Sequence, residues 1–367
     1  MTASESPPRS IESRWREIVS GRSRGIGATL VRGGLSVVRV PYALGTRLRN
    51  IAYDWGWLVS TRLPLPVISV GNLTVGGTGK TPTVAWLVQL LQSLGYRPAI
   101  ISRGYGSADE QGNDEKRLLD RLLPGVPHRQ SPDRLAAAHG LLTEGVPPDI
   151  LVLDDAFQHR CVQRDIDLLL IDCLNPWGYG HQLPRGLLRE AVSGMQRARA
   201  ILLTRSDQID PESLQALREV IAQYTPASTY MTHFEPVGLV DSWGGLAPLN
   251  GWYGREVAAF CGIGNPMGFQ RTLVACGYAV PEARFRAFPD HHPYSAADLE
   301  QIGEWARSYG AECLLTTAKD MVKIPIPIIR NLPIRAVEIA LRMDHEADEI
   351  AFTEQIRSWL ATTLRGS

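Results

Sequence analysis

Between Gly71 and Pro82 the chain reads Gly-Asn-Leu-Thr-Val-Gly-Gly-Thr-Gly-Lys-Thr-Pro, directly behind the apolar run Pro66–Val70. Residue types at this spacing suit phosphate. Gly76, Gly77, Thr78 and Gly79 let successive backbone N–H groups face an anion at a helix start, where the helix dipole adds to the attraction. Lys80 then reaches the β/γ oxygens and the Thr81 hydroxyl serves Mg²⁺. Pro82 fits as an early helical residue with no N–H to lose. The first glycine of the usual P-loop pattern is Thr74 here, so the expectation rests on strand, turn and helix in sequence.

Asp149–Arg160, Asp-Ile-Leu-Val-Leu-Asp-Asp-Ala-Phe-Gln-His-Arg, is the second group. A buried strand ending in Asp154 and Asp155 delivers carboxylates to the C-terminal edge of a parallel sheet, where such folds bind ligands. At least one of them is expected to hold Mg²⁺, directly or through water. Paired acids there could also cap the following helix. Asp290-His291-His292 forms a third group. An Asp–His pair can serve proton transfer, but before Pro293 the same residues also suit a turn with Asp290 or Ser295 capping a helix from Ala296. Thr204–Asp207 and Thr317–Asp320 could contact a nucleotide base or end a strand, and strand termination is the expectation for both.

Elements must carry these groups to one place. Apolar runs at Val67–Val70, Arg97–Ser102, Asp149–Leu153, Asp167–Ile171 and Ala200–Thr204 alternate with helix-like segments. Continuous runs indicate strands buried on both faces, so the fold expected is α/β, P-loop NTPase-like, with a mostly parallel sheet and flanking helices. The boundaries expected are an N-terminal amphipathic segment over 1–63, a P-loop core over 64–236, a connection over 237–255, a smaller α/β domain over 256–347 and a C-terminal helix over 348–367. A site drawing on both larger units would be an interdomain cleft whose closure excludes water.

The N-terminal segment carries its own signal. Arg22–Val59 holds six arginines, no lysine and one acid, Asp54. After Pro41 a helical reading puts Leu44, Leu48, Ile51, Trp55 and Leu58 on one stripe. That stripe suits a helix lying in a membrane interface, or one packed on its own domain.

Composition narrows the rest. With 38 basic against 38 acidic side chains there is no net field to draw in nucleic acid, and none is expected as a partner. Five scattered cysteines without a CxxC pair fit neither a disulfide framework nor a structural zinc site. The first residues lack the basic-then-apolar order of a secretory signal, and no obligate protein partner is evident.

Taken in order, Ser69–Pro82, Ile101–Gly106, Asp154–Arg160, Arg164–Asp172, Leu183–Glu190 and Phe288–His292 make the chain resemble the tetraacyldisaccharide 4'-kinase family. The resemblance implies transfer of the γ-phosphate of ATP, with Mg²⁺, to the 4'-hydroxyl of an acylated glucosamine disaccharide 1-phosphate at the cytoplasmic face of the inner membrane. It puts Lys80 and Thr81 on ATP and Mg²⁺, and Asp154 and Asp155 in the acidic motif. His159, Arg189 and Glu190 fall on active-site positions, and Asp290 and His291 match the pair whose histidine partners a catalytic aspartate. Asp114 is the candidate for that aspartate, with Glu115 its neighbour. Ala156, Leu187 and Ala191 depart from the family pattern, as do Lys116 and the shortened stretch from Gly106 to Asp114. The Gly-Gly-Thr-Gly-Lys-Thr stretch is also shared with ATPases that position other cell components. Those carry a lysine just before the paired glycines, where this chain has Val75.

Overall fold

The computed structural model of the chain describes residues 11–104 and 112–365; Tyr105, Gly106 and residues 107–111 of the shortened stretch lie outside them, as do the first ten residues. Seven strands come first: β1 (Val67–Asn72), β2 (Pro98–Ser102), β3 (His128–Gln130), β4 (Ile150–Asp154), β5 (Ile166–Asp172), β6 (Ala200–Thr204) and β7 (Ser228–Val240). β8 (Leu246–Ala247), β9 (Val257–Cys261), β10 (Phe285–Ala287), β11 (Cys313–Thr317), β12 (Ile328–Ile329) and β13 (Leu332–Met343) follow. The helices are α1 (Ile11–Val19), α2 (Ile26–Asp54), α3 (Lys80–Ser93), α4 (Asp114–Leu122) and α5 (Arg134–Thr143), then α6 (Pro211–Ala222), α7 (Pro266–Ala275), α8 (Ala296–Ser308), α9 (Ala318–Met321) and α10 (Glu346–Arg365).

All strands belong to one sheet, ordered β10-β9-β11-β13-β7-β6-β5-β1-β4-β2-β3, with β12 beside β13 and β8 beside β7. From β3 to β7 every pairing is parallel. The block β13-β11-β9-β10 is parallel within itself as well. The long β7–β13 ladder joining the blocks is antiparallel, from Val240 opposite Ala336 to Thr232 opposite Met343, as are the short pairings of β8 with β7 and of β12 with β13. The strands of β1, β2, β4 and β6 are buried along their whole length, as their uninterrupted apolar runs require.

Three expected elements are corrected. Val237–Val240, expected within a connection, is the far end of β7. Pro236 and Gly238 hide the strand in the sequence, and the register shifts opposite Pro236, between Glu338 and Ile339, as a bulge that accommodates a proline inside a sheet. The N-terminal helix begins at Ile26, with Pro41 inside it. Asp114, expected on a loop, is the first residue of α4, whose cap Asn113 accepts a hydrogen bond from the Lys116 N–H.

The amphipathic reading of α2 acquires two faces. Leu44 and Leu48 are exposed on α2, as are Leu30, Val37 and Val38, while Ile51 is partly buried and Trp55 and Leu58, expected on the same helical stripe, lie exposed beyond the helix end at Asp54. On the opposite side the Tyr42 hydroxyl donates to the Arg189 carbonyl at 2.9 Å and the Asn50 amide to Glu190 Oε2 at 2.8 Å. No helix among the described residues is long and apolar enough to cross a membrane.

The C-terminal helix α10 packs on the first block. Phe352, Ile356 and Leu360 are fully buried in the cluster that contains Val84, Leu87 and Val88 of α3 and Val70 of β1. Phe352 contacts the rings of Trp86 and Tyr230, each with centroids 5.2 Å away. Phe352→Ala is expected to cost about 3–5 kcal/mol, measured by urea denaturation, because a fully buried aromatic leaves a cavity that its neighbours only partly close.

Candidate active site

The phosphate loop sits where β1 hands over to α3. Gly79 caps the helix in the left-handed conformation, φ 86°, and the Phe234 ring lies so close that a Cβ there would be 2.0 Å from Cζ. Only glycine serves at that position. Lys80 Nζ donates to Asn72 Oδ1 at 3.3 Å and lies 3.7 Å from Asp155 Oδ1. The lysine head is thereby held over the strand end from which the loop starts. Thr204–Asp207, expected chiefly to end a strand, also supports the loop. The Thr204 hydroxyl donates to the Thr78 carbonyl, and the Arg205 guanidinium donates to the Gly77 carbonyl at 2.9 Å.

Asp154 and Asp155 leave the adjacent strand, β4, with different partners. Asp155 turns into the left-handed region, φ 48°, and Arg134 holds the turn by donating to the carbonyls of both aspartates. Its carboxylate accepts a hydrogen bond from Arg189 at 2.7 Å. Burial opposes ionisation of Asp155, yet the charges of Lys80 and Arg189 outweigh it and hold the carboxyl at about 2. Asp154 is 3% exposed, and burial pushes it up to about 7, with Glu115 and Asp155 adding to the rise. Its Oδ1 has no hydrogen-bond partner among the described residues. A buried carboxylate oxygen without a partner, at the strand end beside the Thr81 loop, fits a divalent cation that takes oxygen ligands.

The residues after β9, β10 and β11 complete the arrangement. His291, at φ 60°, donates its backbone N–H to the Gly262 carbonyl, and its ring Nδ1 lies 3.0 Å from Asp114 Oδ2. Lys319 Nζ is 3.1 Å from His291 Nε2, 3.4 Å from Asp290 Oδ1 and 3.9 Å from Asp114 Oδ2. Burial favours the neutral Asp114 acid, but the His291 hydrogen bond and the Lys319 charge pull it below the usual carboxylate range. The same hydrogen bond raises His291 above the ordinary imidazole value, against burial and Lys319. Glu115, the neighbour, has its backbone N–H on Asp114 Oδ1, and its charge acts on Asp154. The structure thus brings Asp114, Asp290 and His291 together near the acids of β4.

Two sequence candidates stand differently. His159 Nε2 lies 2.9 Å from the Cys161 sulfur, and burial with Arg134 and Arg164 nearby lowers it to about 4, so the ring is neutral at pH 7. The structure does not join it to the Asp114–His291 group. Glu190 is 1% exposed and accepts from Asn50, Gln158 and Arg197, which makes it the anchor of the segment carrying Arg189. Lys319, Asn72, Arg134 and Arg205 were not singled out as site residues. The available signal was their position at strand ends or, for Arg134, a buried guanidinium no short motif announces.

The chain matches the family model for tetraacyldisaccharide-1-P 4'-kinase over residues 32–361. It is 39% identical over 329 residues to the tetraacyldisaccharide 4'-kinase of Anaeromyxobacter dehalogenans strain 2CP-C, covering 84% of each chain. It is 36% identical over 334 residues to that of Syntrophus aciditrophicus strain SB, covering 84% of this chain and 88% of the other. Among solved structures it resembles the "apo" form of LpxK from Aquifex aeolicus in complex with ATP, with a TM-score of 0.73 and 30% identity over 90% of this chain and 99% of that one.

The Asp114–His291 pair carries a pH signature. A raised imidazole contributes stability that is full below about pH 6.5 and lost as pH rises through its folded value; a depressed carboxyl contributes stability present above about pH 3.9 and lost on acidification. The pair therefore stabilises most between those limits. His291→Asn, which tolerates the left-handed backbone, should lower the urea midpoint most near pH 5 and progressively less toward pH 9; a difference independent of pH would mean that the pair is not charged in solution.

Proposed function

This chain belongs to the tetraacyldisaccharide 4'-kinase family, and from that membership and the site geometry we propose how its residues perform the reaction. It is a kinase that phosphorylates the 4'-hydroxyl of a tetraacylated glucosamine disaccharide 1-phosphate at the expense of ATP. The observation that carries the mechanism is Asp114 from the first block meeting His291 from the second at 3.0 Å.

In this reading the Gly76–Lys80 loop cradles the nucleotide phosphates and Lys80 offsets charge on the transferring group. Asp155 holds Lys80 and Arg189 at the correct spacing. Mg²⁺, bound by Asp154 and Thr81, would neutralise phosphate charge during transfer. Asp114 receives the proton of the sugar hydroxyl, while His291 and Lys319 keep its carboxylate ionised and oriented. Arg189 faces the same space from the segment that Glu190 anchors. A switch-type ATPase is not favoured: the lysine that class needs is Val75 here, and the family match extends across both blocks.

Incubation with labelled ATP and a tetraacylated disaccharide 1-phosphate tests the activity, with label in the lipid fraction expected. Asp114→Ala and His291→Ala should each lower the transfer rate while changing ATP affinity little, and the double variant should lose much less than the product of the two. Full activity in Asp114→Ala with a strong defect in Glu115→Ala would move the base to Glu115.

The acceptor is a lipid, and the exposed apolar stripe of α2 supports a position on the inner membrane's cytoplasmic face. Its docked side touches Arg189 and Glu190, so a helix lying in the interface would hold the site against the bilayer surface. Replacing Leu48 and Trp55 by Glu should release the protein from vesicles with ATP binding intact. A lowered melting temperature or aggregation would instead assign the stripe to packing.

A further inference from the structure

One series of hydrogen-bonded side chains plays no direct part in the transfer steps. It runs from the middle of α4 through β3 and β2 and back to the start of α4. Asp120, on α4, pairs with Lys116 and lies 3.2 Å from His128 Nδ1. The other ring nitrogen, Nε2, is 2.9 Å from the Ser102 hydroxyl. Ser102 Oγ accepts from the Gln130 amide at 3.1 Å. Gln130 then grips Asn113 twice, its Oε1 accepting the Asn113 N–H at 3.2 Å and its Nε2 donating to Asn113 Oδ1 at 2.8 Å.

Ser102, His128 and Asp120 have the residue types of a hydrolytic triad, but the imidazole side chain is 1% exposed and Ser102 is buried with its oxygen engaged by Gln130. The series therefore holds position. Its direction is fixed from one end. Burial opposes ionisation of Asp120, yet hydrogen bonds from His128 and Lys116 hold its carboxyl below the usual range, so it only accepts. This assigns the ring proton to Nδ1 and leaves Nε2 to accept the Ser102 hydroxyl hydrogen, while Ser102 Oγ takes the Gln130 N–H.

What the series holds is the start of α4. Asn113 is the cap of that helix and Asp114 its first residue. Gly112 lies just ahead at φ 80°, and a Cβ there would stand 2.5 Å from Gln130 Oε1, so glycine lets the amide reach the cap. α4 also bears on the second block at both ends. Asp114 meets His291, and Arg121 in the last turn donates to Glu338 Oε2 of β13 at 2.9 Å. Against those two contacts, the relay through Ser102, His128 and Gln130 ties the helix to the first block.

We propose that Gln130 and His128 are positioning residues for Asp114: their relay fixes the first turn of α4 and so sets the carboxylate where both His291 and the acceptor hydroxyl reach it. The proposal rests on the reading that Asp114 is the base toward that hydroxyl.

Steady-state lipid phosphorylation by the full chain tests this with wild type, Gln130→Ala, Gln130→Glu and His128→Val, each with and without Asp114→Ala. A misplacement of about 1 Å at a reacting group lowers a rate about a hundredfold. In Gln130→Ala, kcat should accordingly fall roughly ten- to a hundredfold while KM for ATP stays within about twofold. Gln130→Glu is isosteric, keeps the bond from the Asn113 N–H and loses the other two, so kcat should fall less; it carries the test should the larger changes unfold the chain. His128→Val should lower kcat, and adding it to Gln130→Ala should lower it little more, because both break one relay. Neither should slow Asp114→Ala further. NMR of the His291 ring gives a second readout: its raised titration should move down toward about 6.5 in the Gln130 variants as Asp114 draws away. Unchanged kcat in a folded Gln130 variant, further loss in the Asp114→Ala background, or lost kcat with the His291 titration unmoved would overturn the proposal. Full activity in Asp114→Ala would instead remove the base reading, a result distinct from a defective Asp114→Ala beside an unaffected Gln130→Ala.

Discussion

The whole arrangement depends on the antiparallel ladder that joins β7 to β13. Because β13 descends beside the ascending β7, the second block points its strands against those of the first. β6 pairs with β7 only up to Thr232, whereas β11 ends level with Val337, opposite Leu239. At about 3.3 Å per residue the two ends are offset by roughly 20 Å along β7. Two C-terminal edges, each the place where a parallel sheet presents loops and helix starts, therefore face one another. One edge supplies Lys80, Asp154 and Asp155; the other supplies His291 and Lys319. Asp114 crosses between them from the first turn of α4.

Within that space charge is sorted by environment. Asp154 and Asp155 are consecutive residues, yet two cations hold one ionised while burial pushes the other toward neutrality. Divergent carboxyls of this kind mark sites where chemistry is distributed among neighbours. Asp155 serves the fixed cations Lys80 and Arg189, and Asp154 keeps one oxygen without a hydrogen-bond partner among the described residues. The third carboxylate, Asp114, is charged by its contact with an imidazole from a different block, so its state reports how the blocks are arranged.

Sequence reading served best where function is local. Gly76–Thr81 and Asp154–Asp155 each lie on one strand end, and the apolar run before each identified the edge. The Asp114–His291 contact spans 177 residues and was anticipated through family resemblance, since spacing carries no record of it. Lys319 lies in Thr317–Asp320, which reads as a strand end: Thr317 caps the short α9, and a cap looks the same whether or not the next side chain faces a cleft. β7 was cut short because Pro236 and Gly238 oppose strand formation locally, a preference overridden by the ladder with β13. His159, also in a motif, lies against Cys161 with arginine charges around it.

α10 has a consequence for the order of events during synthesis. The cluster beneath the phosphate loop, built from α3 and β1, is closed by Phe352, Ile356 and Leu360, which the ribosome adds after every strand of both blocks. As the chain emerges from its N-terminal side, the loop and its acids exist long before their support is finished. A nascent chain carrying Lys80 and Asp155 thus has an open hydrophobic floor until the last helix arrives. The floor under the phosphate loop is in this way closed by residues far downstream of it in the chain, so the loop's support is a long-range contact rather than a local one.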